Sequence, residues 1–235
     1  ENLGGLYQGE SNEEGGPGRR IVHIFGSSEE EARRIVEVGA RLARQRRGRL
    51  TVVVKVSGLP ALSALWRDCA LEVAGHAGVA CSFLDIDYAA YQLLQAPREL
   101  DVVVAPNCFG DILADLGGVL MGARGLTYGA SFSESGAAVY QTNHGAAYDL
   151  AGTDQANPAG QILSLAMMLR EGFGLSEEAD LIEQALRQVW REGWRTADLA
   201  EPGCRLLGTR DMARRVADAV DVFAAAPAGE RPAAV

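Results

Sequence analysis

Asp111 and Asp115 stand four residues apart in Asn107-Cys-Phe-Gly-Asp-Ile-Leu-Ala-Asp-Leu-Gly-Gly118, just after the apolar run Val102-Val103-Val104. On a helix that spacing puts both carboxylates on one face, one turn apart. Like charges so placed repel. A bound divalent cation would remove the repulsion, because hard cations such as Mg²⁺ take carboxylate oxygens and are often held by one or two carboxylates plus substrate oxygens. A solvated polar face with two unrelated acids has the same spacing. Lys55 adds a second kind of chemistry. It is the only lysine among the 22 lysine and arginine residues, and it directly follows the apolar stretch Leu50–Val54. A lysine at a strand end can be desolvated in a cleft and act as a base, whereas arginine stays charged. An ordinary surface amine is the other reading of the same residue. Tyr7, in a glycine-rich opening, reads from its local context as a surface-packed ring. His144-Gly145 lies in a loop before a helix, where a lone histidine is more often structural than catalytic, while its small neighbours permit a ligand to approach the backbone closely. Asp149 in that loop can accept hydrogen bonds from a ribose diol, as acids do in NAD sites. No G-x-G-x-x-G fingerprint is present, so a Rossmann-type pyrophosphate cradle is not supported.

These residues need elements to position them. Residues 1–9 read as a short extended piece, and Glu10 to Arg19 as a polar, glycine-rich, mobile segment. Ile21–Phe25 reads as a strand. Ser27 or Ser28 can cap the helix that follows, with Glu29, Glu30 and Glu31 in its first turn, where the helix dipole favours acids. Its basic end, Arg44 to Arg49, reads as solvated. Strands at Leu50–Val54, Val79–Leu84 and Asp101–Val104 alternate with helices through Leu62–Val73 and Tyr88–Leu94. That alternation predicts an α/β fold. In such sheets ligands lie outside the carboxyl ends of the strands, and Lys55, Asp85, Asp87 and Asn107 all fall there. Further on, Gly117–Gly129 is a glycine-rich patch and Ala138–Tyr140 a short strand. Asn157-Pro158 starts a helix, and two more run over about Glu177–Trp190 and Arg210–Phe223. The Ala/Pro/Gly-rich residues 224–235 read as a disordered tail.

Composition narrows the partners. A net charge of −9 and a pI near 4.9 argue against nucleic acid or an anionic membrane surface. No stretch reads as a transmembrane segment or signal peptide. Cys69, Cys81, Cys108 and Cys204 form no C-x-x-C pair, which fits reduced thiols and a cytoplasmic setting. The sequence begins Glu1-Asn2-Leu3 without Met, in what looks like the middle of a motif. The expectation is that this is not the native start.

Taken in order, the segments resemble the β-decarboxylating 2-hydroxy acid dehydrogenases, the family of isocitrate, homoisocitrate, isopropylmalate and tartrate dehydrogenases. The resemblance rests on Asn107-x-Phe-Gly-Asp-Ile-Leu-Ala-Asp115, on His144-Gly-Ala-Ala-Tyr-Asp-Leu-Ala-Gly-Thr-Asp-Gln-Ala-Asn-Pro158 and on Ile162-Leu-Ser-Leu-Ala-Met-Met-Leu169. Glu1-Asn-Leu-Gly-Gly-Leu-Tyr7 and Arg195-Thr-Ala-Asp-Leu199 look like two further family segments. It implies an isopropylmalate/isocitrate dehydrogenase-like α/β fold, incomplete at the N-terminus, with mixed sheets and flanking helices. Residues 1–121 would form the substrate, metal and dimerisation domain, and 122–223 the C-terminal part of the cofactor domain. Tyr7 and Lys55 would be the catalytic acid and base. Asp111 and Asp115 would hold Mg²⁺ or Mn²⁺ with Asp87 of a second copy, so that Lys55 and Asp87 cross a homodimer interface. His144, Gly145, Asp149 and Asn157 would form the cofactor loop, and the acid at Asp149 implies NAD. The implied reaction is oxidative decarboxylation of a malate-type 2-hydroxy acid.

Some positions depart from the family pattern. The family's N-terminal portion, which carries the arginines that grip substrate carboxylates, is not in this sequence. Gln141 stands where the family has a glutamate, Tyr148 where it has a proline, and Ser57 where it has an asparagine. An accessory, non-catalytic subunit of such a dehydrogenase is the alternative implied.

Overall fold

Residues 3–15 and 18–226 are described by a computed structural model, and the chain divides into two units at Gly117/Gly118. In the first unit a 3-10 turn at Leu6–Gln8 leads into strands β1 (Glu10–Glu14) and β2 (Arg20–Ile24). Then come α1 (Glu29–Arg44), β3 (Arg49–Val54), α2 (Pro60–Ala77), β4 (Ala80–Asp85), α3 (Ile86–Gln95), β5 (Val102–Val104) and α4 (Asn107–Met121).

The segment from Glu10 to Arg19, expected to be mobile, instead supplies β1, and the start expected to be extended holds the turn at Leu6–Gln8. β1 pairs antiparallel with β2 from Glu10↔Ile24 to Glu14↔Arg20. Burial does not hold this ribbon, since Ile21 and Ile24 are exposed. Backbone pairing and one imidazole do. His23 Nδ1 lies 2.7 Å from Ser11 Oγ, and Nε2 lies 2.7 Å from the Leu6 carbonyl. A polar composition signals missing burial, not missing backbone bonds, which is why the sequence suggested a loop.

The parallel sheet has the order β4-β3-β5. Successive strand residues face opposite sides, and β3 divides accordingly. Leu50, Val52 and Val54 pack with Val36 and Ala40 of α1 and with Trp66, Ala70 and Val73 of α2. Val53 packs with Ala89 of α3, with Ala105 just after β5 and with Leu113 of α4. Helices therefore cover both faces, as a parallel sheet requires. α1 starts at a reciprocal cap: Glu31 N–H donates to Ser28 Oγ and Ser28 N–H to Glu31 Oε2. Gly39 lets α1 lie against the sheet; a Cβ there would stand 2.3 Å from Val104 Cγ2 and 3.0 Å from Leu50 Cδ1.

The basic run after α1 is not simply solvated. Asp101, whose side chain is 0% exposed, accepts hydrogen bonds from Arg46 Nε at 3.1 Å and from the Arg47 and Arg49 N–H groups at 3.0 and 3.2 Å. Arg47 also donates to the carbonyls of Arg98 and Leu100. One buried carboxylate thus ties the turn before β3 to the start of β5. Burial works against its charge, but the Arg46 and Arg47 guanidinium groups and the two N–H donors win and hold it below the ordinary aspartate range. A depressed carboxyl stabilises the fold above its unfolded pKa of about 3.9 and loses that contribution as pH falls through the folded value. Asp101→Asn is expected to lower unfolding free energy at pH 7 by about 2 kcal/mol, because an amide nitrogen then faces buried donors. Urea titrations at pH 7 and below about pH 4 check this; an unchanged midpoint at pH 7 contradicts the clamp.

The second unit begins within α4 at Gly118. It contains β6 (Tyr128–Phe132), β7 (Ala138–Thr142), α5 (Ala159–Met167), a π-helical turn at Met168–Gly172, α6 (Ser176–Arg191), β8 (Trp194–Arg195), β9 (Arg205–Leu206) and α7 (Thr209–Ala225). β6 lies inside the glycine-rich patch and pairs antiparallel with β7. The core joins Leu126, Ala159, Leu186, Val189, Met212 and Val216. Gly160 permits close approach of α5, since a Cβ there would lie 2.8 Å from the carbonyl oxygens of Gly125 and Thr127. α7 continues through Ala225, past the point where the tail was expected; residues 227–235 of that expected tail lie outside the described residues. Among the described residues no helix is long and apolar enough to cross a membrane.

Candidate active site

Three parallel strands end at one edge of the sheet, and their last residues bring the chemistry there. Lys55 follows β3 directly, Asp85 ends β4, Asp87 stands in the first turn of α3, and α4 begins three residues beyond β5. The Lys55 N–H donates to Ser63 Oγ at 3.2 Å and the Val56 N–H to Asp85 Oδ1 at 3.1 Å, so the turn after β3 is fixed from two sides. Lys55 Nζ then donates to Asp87 Oδ1 at 2.5 Å and lies 3.6 Å from Asp85 Oδ2. The hydrogen bond to Asp87 raises the Lys55 ammonium above its usual range against the opposing effect of burial, and the same bond lowers Asp87. Both shifts favour the charged pair.

Tyr7 enters from the glycine-rich start. The turn that carries it is held by the His23 contact to Leu6 and by Gly5 N–H donating to the Gly26 carbonyl at 2.6 Å. Gly9 is required, because a Cβ there would stand 2.5 Å from His23 Nε2 and 2.6 Å from the Ile24 carbonyl. The Tyr7 phenol meets the Cys108 thiol and then the Asp111 carboxylate, and both raise it above the ordinary tyrosine range. It keeps its proton at neutral pH. Cys108 is the contact that the sequence did not suggest; its only signal was its place inside the Asn107–Asp115 motif. Asp115 stands exposed one turn beyond Asp111 on α4.

A cavity of about 100 Å³, open to solvent, lies at this edge and is lined by Leu6, Phe25, Lys55, Leu62, Trp66 and Phe109. Asp111 and Asp115 offer hard oxygen donors of the kind Mg²⁺ or Mn²⁺ takes. Among the described residues no three His, Cys, Asp or Glu side chains converge to hold a cation within one chain. The donor chemistry therefore fits a divalent ion only when further oxygens come from outside that pair.

The second unit carries the other predicted residues. The His144 ring is turned onto its own loop, with Nδ1 2.9 Å from the Gly145 carbonyl. Gly145 and Asp149 are exposed, and Asp149 sits in a 3-10 turn at Tyr148–Leu150 that follows Ala147 at φ 45°. Asn157 has work inside the fold. Its Oδ1 accepts from the Ala159 N–H at 2.9 Å, opening α5, and its Nδ2 donates to Asp198 Oδ2 at 3.1 Å. Asp198 also accepts from the buried Thr196 hydroxyl at 2.6 Å. The Arg195–Leu199 segment thus braces the start of α5, and Gly125 leaves room for it: a Cβ there would stand 2.7 Å from Asn157 Cβ.

With this geometry established, the chain was compared with known proteins. The isocitrate/isopropylmalate dehydrogenase family model matches residues 1–216. The 3-isopropylmalate dehydrogenase of Geobacillus kaustophilus is 42% identical over 224 residues, 94% of this chain and 60% of that protein. That of Nitratidesulfovibrio vulgaris is 45% identical over 193 residues, 82% of this chain and 54% of that protein. Among solved structures, isocitrate dehydrogenase from Methylococcus capsulatus superposes with a TM-score of 0.86 at 33% identity, over 94% of this chain and 65% of that one. The apo β-decarboxylating dehydrogenase from Thermococcus kodakarensis gives 0.80 at 31% identity, over 96% and 65%. The chain spans less than two thirds of the length of these relatives.

Proposed function

Because the chain belongs to the isocitrate/isopropylmalate dehydrogenase family, we propose that it carries part of the active site of an NAD-dependent, divalent-cation-dependent dehydrogenase. The reaction is the oxidative decarboxylation of a malate-type 2-hydroxy acid. The observation that supports this most directly is the Lys55 amine held between Asp85 and Asp87 at the strand ends, placed to serve a second copy, while Tyr7 lies beside Cys108 and Asp111 of the chain's own carboxylate pair.

When bound, NAD⁺ supplies a hydride acceptor and the divalent ion polarises the substrate oxygens. The chain's own residues divide the rest. With both carboxylates in place Lys55 Nζ carries its proton, and it holds the substrate hydroxyl oxygen by donating a hydrogen bond. Once the contact to Asp87 is broken Nζ releases one proton to water, and the neutral amine then takes the substrate hydroxyl proton. Tyr7 keeps its proton through the oxidation and delivers it from the phenol oxygen to the carbon that loses CO₂. Asp111 and Asp115 hold the cation, and Asp87 of the partner subunit completes its acid ligands. Lys55 and Asp87 share one short contact, so a second copy would receive them together. His144, Gly145 and Asp149 receive the dinucleotide, with Asp149 accepting from a ribose diol. Asn157 holds the end of that loop through α5.

Incubating the intact protein with a series of 2-alkylmalates, NAD⁺ and Mn²⁺ is expected to produce NADH, read at its absorbance band. No rise with any of them, together with no NAD⁺ binding, overturns the proposal. Copurification with a longer homologue that alone has turnover would point instead to an accessory subunit.

A further inference from the structure

Tyr148 is 88% exposed, although an aromatic ring has much to gain from burial. Its surroundings keep it so. Gly145, Ala146 and Ala147 before it have no side chain beyond Cβ, and each is exposed. Ala147 adopts a left-handed backbone at φ 45°, ψ 56°, an uncommon conformation for a residue with a Cβ, and it leads directly into the turn that presents the ring. That turn is closed by the Leu150 N–H donating to the Ala147 carbonyl at 2.9 Å, so the ring stands on an ordered support. The neighbouring residue in the same turn is the exposed Asp149.

An exposed aromatic face beside an exposed carboxylate suits a ligand with a flat ring next to a diol. A carboxylate repels phosphate and accepts from hydroxyls, so the diol end belongs at Asp149 and the ring at Tyr148. We infer that Tyr148 is the stacking platform for the purine of the dinucleotide, a positioning role in binding that rests on the proposed nucleotide role of this loop. Base–aromatic stacking removed by alanine substitution weakens binding by about 5- to 150-fold.

The test uses the intact protein and AMP as the probe, read by calorimetry without turnover. Tyr148→Ala is expected to weaken AMP by that factor, while Tyr148→Phe stays within about twofold because the ring alone is needed. Tyr148→Trp places an indole at the site, and its fluorescence is expected to be quenched as AMP is added. If Tyr148→Ala binds AMP as the parent does while Asp149→Asn loses it, the loop holds the nucleotide and the stacking role is overturned. If the parent binds neither AMP nor NAD⁺, the nucleotide role of the loop falls and the stacking role with it.

Discussion

Lys55→Met is expected to lower kcat of the intact protein by about 10²- to 10⁴-fold, the range for removing a general acid–base group. Methionine keeps most of the apolar stem and deletes the amine. The fold should tolerate it. Asp87 is 70% exposed, and ion pairs with such partners contribute little to stability. The urea midpoint is therefore expected to stay near that of the parent. Lys55→Arg separates two roles. It preserves the charge beside Asp85 and Asp87 but cannot become neutral, so it should be as impaired as Lys55→Met if Nζ accepts a proton. Turnover of Lys55→Met within tenfold of the parent, measured at saturating substrate, would remove Lys55 from the chemistry.

The second large effect is structural. Gly39→Val is expected to destabilise the first unit by about 3 kcal/mol, the upper part of the range for overpacking a close-packed core. The added Cβ meets Val104 Cγ2 at 2.3 Å, a distance that forces either α1 or β5 to shift. Valine also restricts the helix at that position. Val104→Ala removes the colliding methyl groups. The double variant should lose less stability than the two single losses added together, a coupling expected of residues in direct contact. Urea unfolding of all four proteins measures it. Strict additivity would mean that α1 moves freely off the sheet and that Gly39 is not a contact point.

Much of the first unit was legible in the sequence, and the reason is physical. The run Leu50–Val54 has no polar member except Thr51, and only a strand covered on both faces uses such a run. Ser27 or Ser28, followed by Glu29, Glu30 and Glu31, marked the start of α1, and the structure chose Ser28. Strand ends announced Lys55, Asp85 and Asp87. What stayed hidden depended on partners distant in sequence. Asp101 looked like the plain start of a strand, yet it organises Arg46 and Arg47 more than fifty positions earlier. Glu10–Glu14 looked like a linker because its pairing with Arg20–Ile24 uses backbone groups that every sequence has. Cys108 gave no hint of facing Tyr7. Asn157 matched a family motif, while its bonds to Ala159 and Asp198 emerge only once α5 and the Arg195–Leu199 segment are folded together.

The strand order has a consequence for the chain as it leaves the ribosome. β3 is the middle strand, yet it is the first of the three to be made. Its partners follow later, with Leu50 pairing first to Cys81 and then to Val102. At roughly 5–20 residues per second, the synthesis of that intervening chain takes on the order of seconds. During that interval β3 has two bare edges and an apolar surface on each face. It can pair with any extended strand nearby, including another nascent copy of itself. Slowed translation across residues 55–104 would lengthen this exposure without changing one native contact, and recovery of soluble protein would then follow codon usage there as well as folded-state stability.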